Sequence, residues 1–202
     1  MIQRFLSTLG SWVSVAGVFF WFHPSGQPIN VWEGIFIGIS MVFLFRVGWL
    51  EIKQYNKIKR FPAHDKSRIN NYMHSWISMG DRVAIFTRDM SWGNDRRIKN
   101  LLSLKAQKDE LSIYVPITKP LIEELKAKGA HVFTYSQLEV DPQSRFTIIN
   151  YGKGDAQVAI GRTYGDKHII EEFAVGDHPV FNVVVDLVRF LTEYNKKNLM
   201  AH

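Results

Sequence analysis

Two apolar stretches near the N-terminus constrain this chain more than any other feature. From Phe5 to Phe22 no residue is charged, and from Gly34 to Leu50 the one charge is Arg46. A helix that crosses a bilayer needs ~20 predominantly apolar residues, and each stretch approaches that length. Between them, His23 to Trp32 contains Pro24, Gly26 and Pro28 and no Lys, Arg, Asp or Glu, which suits a short translocated turn. The pair therefore reads as a transmembrane hairpin. A cleaved leader fits less well, because the basic start is a lone Arg4 and no small-residue cleavage site follows the aromatic end at Phe22. Two buried helices of a soluble protein also fit less well, because Trp12, Trp21, Trp32 and Trp49 are the residues that collect at membrane boundaries.

The formal charge is +6, and its placement gives a topology. Lys53, Lys57, Lys59 and Arg60 follow the second stretch and Arg4 precedes the first, so the positive-inside rule puts both termini in the cytoplasm of a bacterial inner membrane. Arg46 is expected to snorkel to that same face, with a polar pathway between protomers as the alternative. Gly10, Ser14 and Gly17 in the first span, with Ser7 and Ser11, and the Gly34/Gly38 pair in the second are small residues that let helices approach closely. They serve either packing within one hairpin or self-association. A two-helix hairpin cannot enclose a channel alone, so a conducting role requires a homo-oligomer. The basic bridge Glu51 to Arg60 is read as an outward continuation of the second helix that touches anionic lipid head groups. The expected division is therefore 1–61 as membrane anchor and 62–202 as cytoplasmic domain.

That domain has the pattern of an α/β sandwich with a mostly parallel sheet. Asp65 caps a helix whose Ile69, Tyr72, Met73, Trp76 and Ile77 share a face, ending at Gly80. Arg82–Thr87 reads as a strand, Asn94 or Asp95 caps a helix through Leu104, and Leu111–Val115 is the next strand. Thr118 caps a further helix stopped by Gly129, and His131–Tyr135 follows as a strand. Phe146–Asn150 and Gln157–Gly161 flank a turn with two glycines and form a C-terminal β-hairpin. His168–Phe173 adds a strand, and Asp177 and Pro179 open the last helix.

This order, together with the hairpin, resembles one half of the phospholipase D superfamily over roughly residues 67–193. In that family the first hairpin strand carries a histidine, a lysine two residues on and an aspartate five residues after the lysine. Gln143, Arg145 and Asn150 stand at those positions here, with Gly161 and Arg162 at the turn that follows. The resemblance implies a catalytically degenerate domain, because a glutamine amide cannot replace an imidazole nucleophile and Asn150 is not ionised. No enzyme activity and no cofactor are expected on this reading.

No other chemistry stands out. There is no cysteine, and none of the seven histidines pairs with another at metal-ligand spacing. The Gly152–Gly154 turn lacks phosphate-loop spacing. Arg88, Arg96 and Arg97 flank a loop at the carboxyl edge of a strand, and with Arg145 they are the candidates for touching a partner or nucleic acid; a simple capped, solvated loop is the alternative. The whole arrangement resembles the small two-transmembrane effectors of bacterial antiphage systems, such as those encoded beside retron reverse transcriptases. That resemblance implies a cytoplasmic domain restrained by a complex of reverse transcriptase with its RNA–DNA product, and a membrane disrupted on release. Two other readings compete: a tethered phosphodiesterase-like enzyme completed by dimerisation, and a passive membrane adaptor.

Overall fold

The structure, a computed structural model, describes Gly10, Gly17 and residues 30–136 and 145–200, with backbone alone at 50–56 and 198–200. The chain divides into two units, Met1–Asn56 and Lys57–His202. In the first unit, α1 runs from Val31 to Asn56. Its start is a reciprocal cap: Asn30 Oδ1 accepts from Glu33 N at 2.9 Å while Asn30 N donates to Glu33 Oε2 at 2.8 Å. Over Val31–Trp49 the helix is long and apolar enough to cross a membrane, and none of that segment is buried. The expected first span from Phe5 to Phe22, with Ser14, lies outside the described residues except for Gly10 and Gly17, which are helical.

The second unit is a mixed α/β fold around a seven-stranded sheet of order β1-β7-β6-β5-β2-β3-β4. Its strands are β1 Ile58–Pro62, β2 Val83–Phe86, β3 Leu111–Val115, β4 His131–Thr134, β5 Arg145–Ile149, β6 Gln157–Tyr164 and β7 Lys167–Ala174. Its helices are α2 Lys66–Met79, α3 Arg96–Gln107, α4 Pro120–Ala127 and α5 Pro179–Met200. Only β2·β3 and β3·β4 run parallel, joined by the crossovers through α3 and α4; the other four pairings are antiparallel. The expectation of a mostly parallel sheet is thus corrected. Tight turns after β5 and β6 reverse the chain, at Gly152 with φ 82° and Gly165 with φ 57°, and antiparallel neighbours follow from such short connections.

The basic bridge continues the helix outward through Asn56, as expected, and is corrected beyond it. The helix stops at Asn56, and Ile58–Pro62 joins the sheet as its edge strand, pairing antiparallel with β7 so that Phe61 lies beside His168. Helical spacing of Ile52, Tyr55 and Ile58 is outweighed by what the strand gains. Its ladder to β7 satisfies backbone groups, and Phe61 packs at 5.8 Å from the Tyr72 ring. The second unit therefore begins at Lys57 rather than at residue 62. The cap of α4 is Lys119, not Thr118: Pro120 occupies the first helical turn, where its missing N–H costs nothing.

Side chains alternate across the sheet and make two cores. Val83, Ile85, Leu111, Ile113, Ile149 and Ile170 pack with Trp76 and Ile77 of α2, Ile98 and Leu102 of α3, and Ile122 and Leu125 of α4. On the opposite face, Ala84, Phe86, Tyr114, Phe146 and Ile148 pack with Phe181, Val184, Val188 and Leu191 of α5. Three helices thus cover one face and a single helix the other. Trp76, 1% exposed, is anchored as well as buried, because its Nε1 donates to Thr147 O at 3.3 Å.

Candidate functional site

A cavity of about 300 Å³ opens on the three-helix face of the second unit, between the first half of α2 and the strands β5, β6 and β7. Arg145 opens β5 and Gly161 lies opposite it on β6, while His168 enters from the start of β7. α2 contributes Lys66 and Asn70 beside the apolar Ile69 and Met73, and the loop after β2 contributes Thr87, Ser91 and Trp92. The lining therefore mixes polar and cationic groups with apolar ones, the usual mixture in sites that orient an organic ligand.

The loop is built to present its residues. Thr87 is buried; its hydroxyl accepts from Met90 N at 3.3 Å and its carbonyl accepts from Tyr135 Oη at 3.3 Å. Met90 has φ 50°, a left-handed conformation that costs energy for a side chain of this size. Its side chain is nonetheless 1% exposed, and packing against Gly93 holds it there. Asp89 accepts from both the backbone N and the hydroxyl of Ser91, each at 3.3 Å. Partial burial alone would raise the Asp89 carboxyl. The Ser91 hydrogen bonds and the charges of Arg145 and Lys119 outweigh it and hold the group below the usual carboxylate range.

Gly161 leaves room for the His168 ring. A Cβ at residue 161 would lie 3.3 Å from His168 Nε2 and 3.5 Å from Cε1, so the imidazole lies over the bare glycine backbone. The same Cβ would stand 4.0 Å from Arg145 O. Thr163 Oγ1 is 3.3 Å from His168 Nδ1, which leaves Nε2 as the atom turned over Gly161. Desolvation first, and then the Arg145 charge, push the His168 pKa below its ordinary value, so the ring is neutral at pH 7. Among the described residues, Arg145 and the Lys66 ammonium form no ion pair or side-chain hydrogen bond, although both line one cavity.

Of the four arginines singled out in the sequence, Arg145 lines this cavity and Arg88, Arg96 and Arg97 do not. Those three are exposed; Arg97 donates to Asn71 Oδ1 at 2.6 Å and lies 3.6 Å from Asp95. Asp95 is the cap of α3, accepting from Arg97 N and Ile98 N. Asn150 is a turn residue with φ 54°: its side chain accepts from Asp81 N at 2.9 Å and donates to Asp155 Oδ2 at 2.8 Å, away from the cavity. Gln143 lies outside the described residues. His168 escaped the sequence reading because nothing near it in the chain marks it, and its partners come from β5 and β6. Gly34 and Gly38 lie on α1 with open space where a side chain would begin, and Arg46 is exposed on the same helix. No group of acidic, histidine or cysteine side chains suited to a metal occurs among the described residues.

No family model matches the chain, and no curated protein matches it. Among solved structures it is similar to the crystal structure of polyphosphate kinase from Porphyromonas gingivalis, with a TM-score of 0.42 and 12% identity over 64% of this chain. The match spans 23% of that protein's chain. A likeness this distant says nothing of activity.

Proposed function

We propose that this chain is a membrane effector of antiphage defence, which self-associates through its spanning helices and disrupts the inner membrane when a partner nucleoprotein complex releases its second unit. The observation that carries the membrane part is α1. A helix apolar on all sides is stable in a protein core or in lipid, and Val31–Trp49 is buried in no core. Phe45 and Trp49, 75% and 63% exposed, need an apolar surrounding that water does not provide. The open backbone at Gly34 and Gly38 supports close approach of a second helix. The two-helix hairpin with both termini in the cytoplasm, and a reverse transcriptase with its RNA–DNA product as the partner, belong to this reading through the resemblance of the architecture. In it, the exposed Arg88, Arg96 and Arg97 are the residues that meet the partner.

One observation favours a second reading, a membrane-tethered phosphodiesterase: a neutral imidazole stands beside a guanidinium in the cavity. The test separates the two. The full chain is induced in bacteria with a membrane-potential dye, as wild type, as Gly34→Leu with Gly38→Leu, and as His168→Gln. Depolarisation lost in the double glycine variant and kept in His168→Gln is the expected result. Toxicity lost in His168→Gln with the glycines intact would put the enzyme first, and no depolarisation even with the partner complex present and then degraded would refute the effector.

A further inference from the structure

We infer that the edge of the sheet where β1 meets the projecting β6–β7 hairpin docks on the anionic lipid surface of the bilayer that α1 spans. This rests on the membrane span of α1 and on nothing else in the effector reading, which assigns the second unit no lipid contact. The register defines the surface. Phe61, His168 and Ile170 point to the three-helix face, so the alternate residues of β1, β7 and β6 point to the other. They form three rows across the strands: Ile58, Glu171 and Ile160; then Arg60, Ile169 and Arg162; then Pro62, Lys167 and Tyr164. The core beneath α5 takes in Ile160 and no residue of the second and third rows. Ile58 and Ile169 are half-buried and belong to neither core. Among the described residues β6 pairs with β5 as far as Gly161, so Arg162 to Tyr164 project with β7, and Tyr164 at the end is 79% exposed.

Basic, aromatic and aliphatic side chains on one edge match a lipid interface. Cations meet headgroup phosphates, while Tyr and Ile seat their apolar bodies at the hydrocarbon boundary. Arg60, Arg162 and Lys167 are exposed; against them stand Glu171, which Arg162 engages at 2.6 Å, and Asp166 at the turn, so the edge is net positive. The chain itself supplies proximity. Trp49 closes the apolar segment of α1, the helix runs on to Asn56, and Lys57 opens the second unit. At 1.5 Å per helical residue and about 3.4 Å per extended one, Arg60 stays within roughly 25 Å of Trp49. Held so close, even a contact too weak to retain a free ligand is populated, because the bilayer is present at high effective concentration. A free nucleic-acid strand gains nothing from this tether, and these rows offer it one aromatic ring rather than a platform for successive bases. The sequence reading gives lipid contact to the basic bridge by itself; the fold adds Arg162, Tyr164 and Lys167, more than 100 residues along the chain.

The chain has no cysteine, so a single introduced thiol carries a position-specific fluorophore. Thr163→Cys at the hairpin end and Ala127→Cys on α4, both exposed, are labelled separately in the full chain. Each is placed in nanodiscs doped with a headgroup-attached quencher, made of phosphatidylcholine with or without phosphatidylglycerol. Co-elution with the discs scores the span of α1 first; failure to incorporate overturns the span and the docking with it, whereas loss of effector toxicity alone touches neither. Quenching at residue 163 is expected to rise with phosphatidylglycerol while residue 127 stays unquenched. Raising salt from about 0.1 M to about 1 M shortens the screening length from about 10 Å to about 3 Å and reverses the rise. Arg162→Gln with Lys167→Gln lowers the ratio of docked to undocked protein about 30-fold, about fivefold for each basic residue. Tyr164→Ser, at an exposed position, lowers quenching too and keeps the test valid if the double variant is unstable. Equal quenching at residues 163 and 127, a signal that ignores phosphatidylglycerol, quenching unchanged in both variants, or a label that responds to an added single-stranded oligonucleotide in place of the anionic lipid would each overturn the inference.

Discussion

Lys105 offers a sharp test of the fold, because its ammonium is the most enclosed charge in the described unit. It lies in the last turn of α3 with its side chain 11% exposed, donating to Gly80 O at 2.5 Å and to Asp81 O at 2.9 Å, with Glu110 Oε2 at 3.4 Å. One cation thus satisfies the carbonyls that α2 leaves behind as it turns into β2. Lys105→Met keeps the aliphatic stem and removes the three contacts. Hydrogen bonds to a charged group contribute about 1.5–3 kcal/mol each. Relief from burying the ammonium offsets several kcal/mol of their sum. The net loss is therefore about 3 kcal/mol, in the range expected when one partner of a buried pair is removed. For a domain of this size each kcal/mol moves the melting temperature by about 2–4 °C, so a fall of about 6–12 °C follows. Near-UV circular dichroism, to which the stacked rings of Phe86, Tyr135 and Phe146 contribute, reads the loss of packing. The exposed Lys108→Met is the control. A shift below about 2 °C, or one equal to the control, would show that the ammonium does not hold this corner.

Other outcomes follow from the same geometry. Gly80→Ala would place a Cβ 2.5 Å from Ile149 Cβ and 3.1 Å from Asn150 N, and it is expected to cost about 1–3 kcal/mol in urea unfolding without any change in α1. Because the folded-state pKa of His168 lies below the ordinary value of 6.5, the unfolded chain binds more protons in the window beneath 6.5. Stability falls as pH drops through that window and is fully present above it. Melting temperatures from pH 7.5 to 5.0 therefore decline less steeply in His168→Gln than in wild type, and equal slopes would contradict the assignment. Gly161→Val forces the imidazole from its place over residue 161, so the same difference in slope shrinks in that variant too. If the proposed effector reading holds, charge reversal at Arg88 and Arg96 weakens capture of a nucleoprotein complex and its dependence on salt, measured by pulling down the full chain at 50 and 200 mM salt.

Most of the helices and strands of the second unit were legible in the sequence because their signals are local. Asp65 and Asp95 cap α2 and α3 by accepting from backbone amides within three residues, and Ile69, Tyr72, Met73, Trp76 and Ile77 define one face by spacing alone. Arg145 was legible as a charge at the head of a hairpin strand, and Gly34 and Gly38 as small residues in an apolar helix. What the chain could not announce was pairing between distant segments. That Ile58–Pro62 is a strand depends on β7, more than 100 residues away, offering an open edge to Phe61 and its neighbours. That β5 lies antiparallel beside β2 rather than next to β4 is likewise a pairing between segments distant in the chain. The candidate site was decided the same way. The sequence determined the apolar helix, the caps and the alternation of core residues, whose physics is read within a turn or two of chain; only the tertiary structure put His168 over Gly161 beside Arg145, because strand register is set by contacts that no local pattern contains.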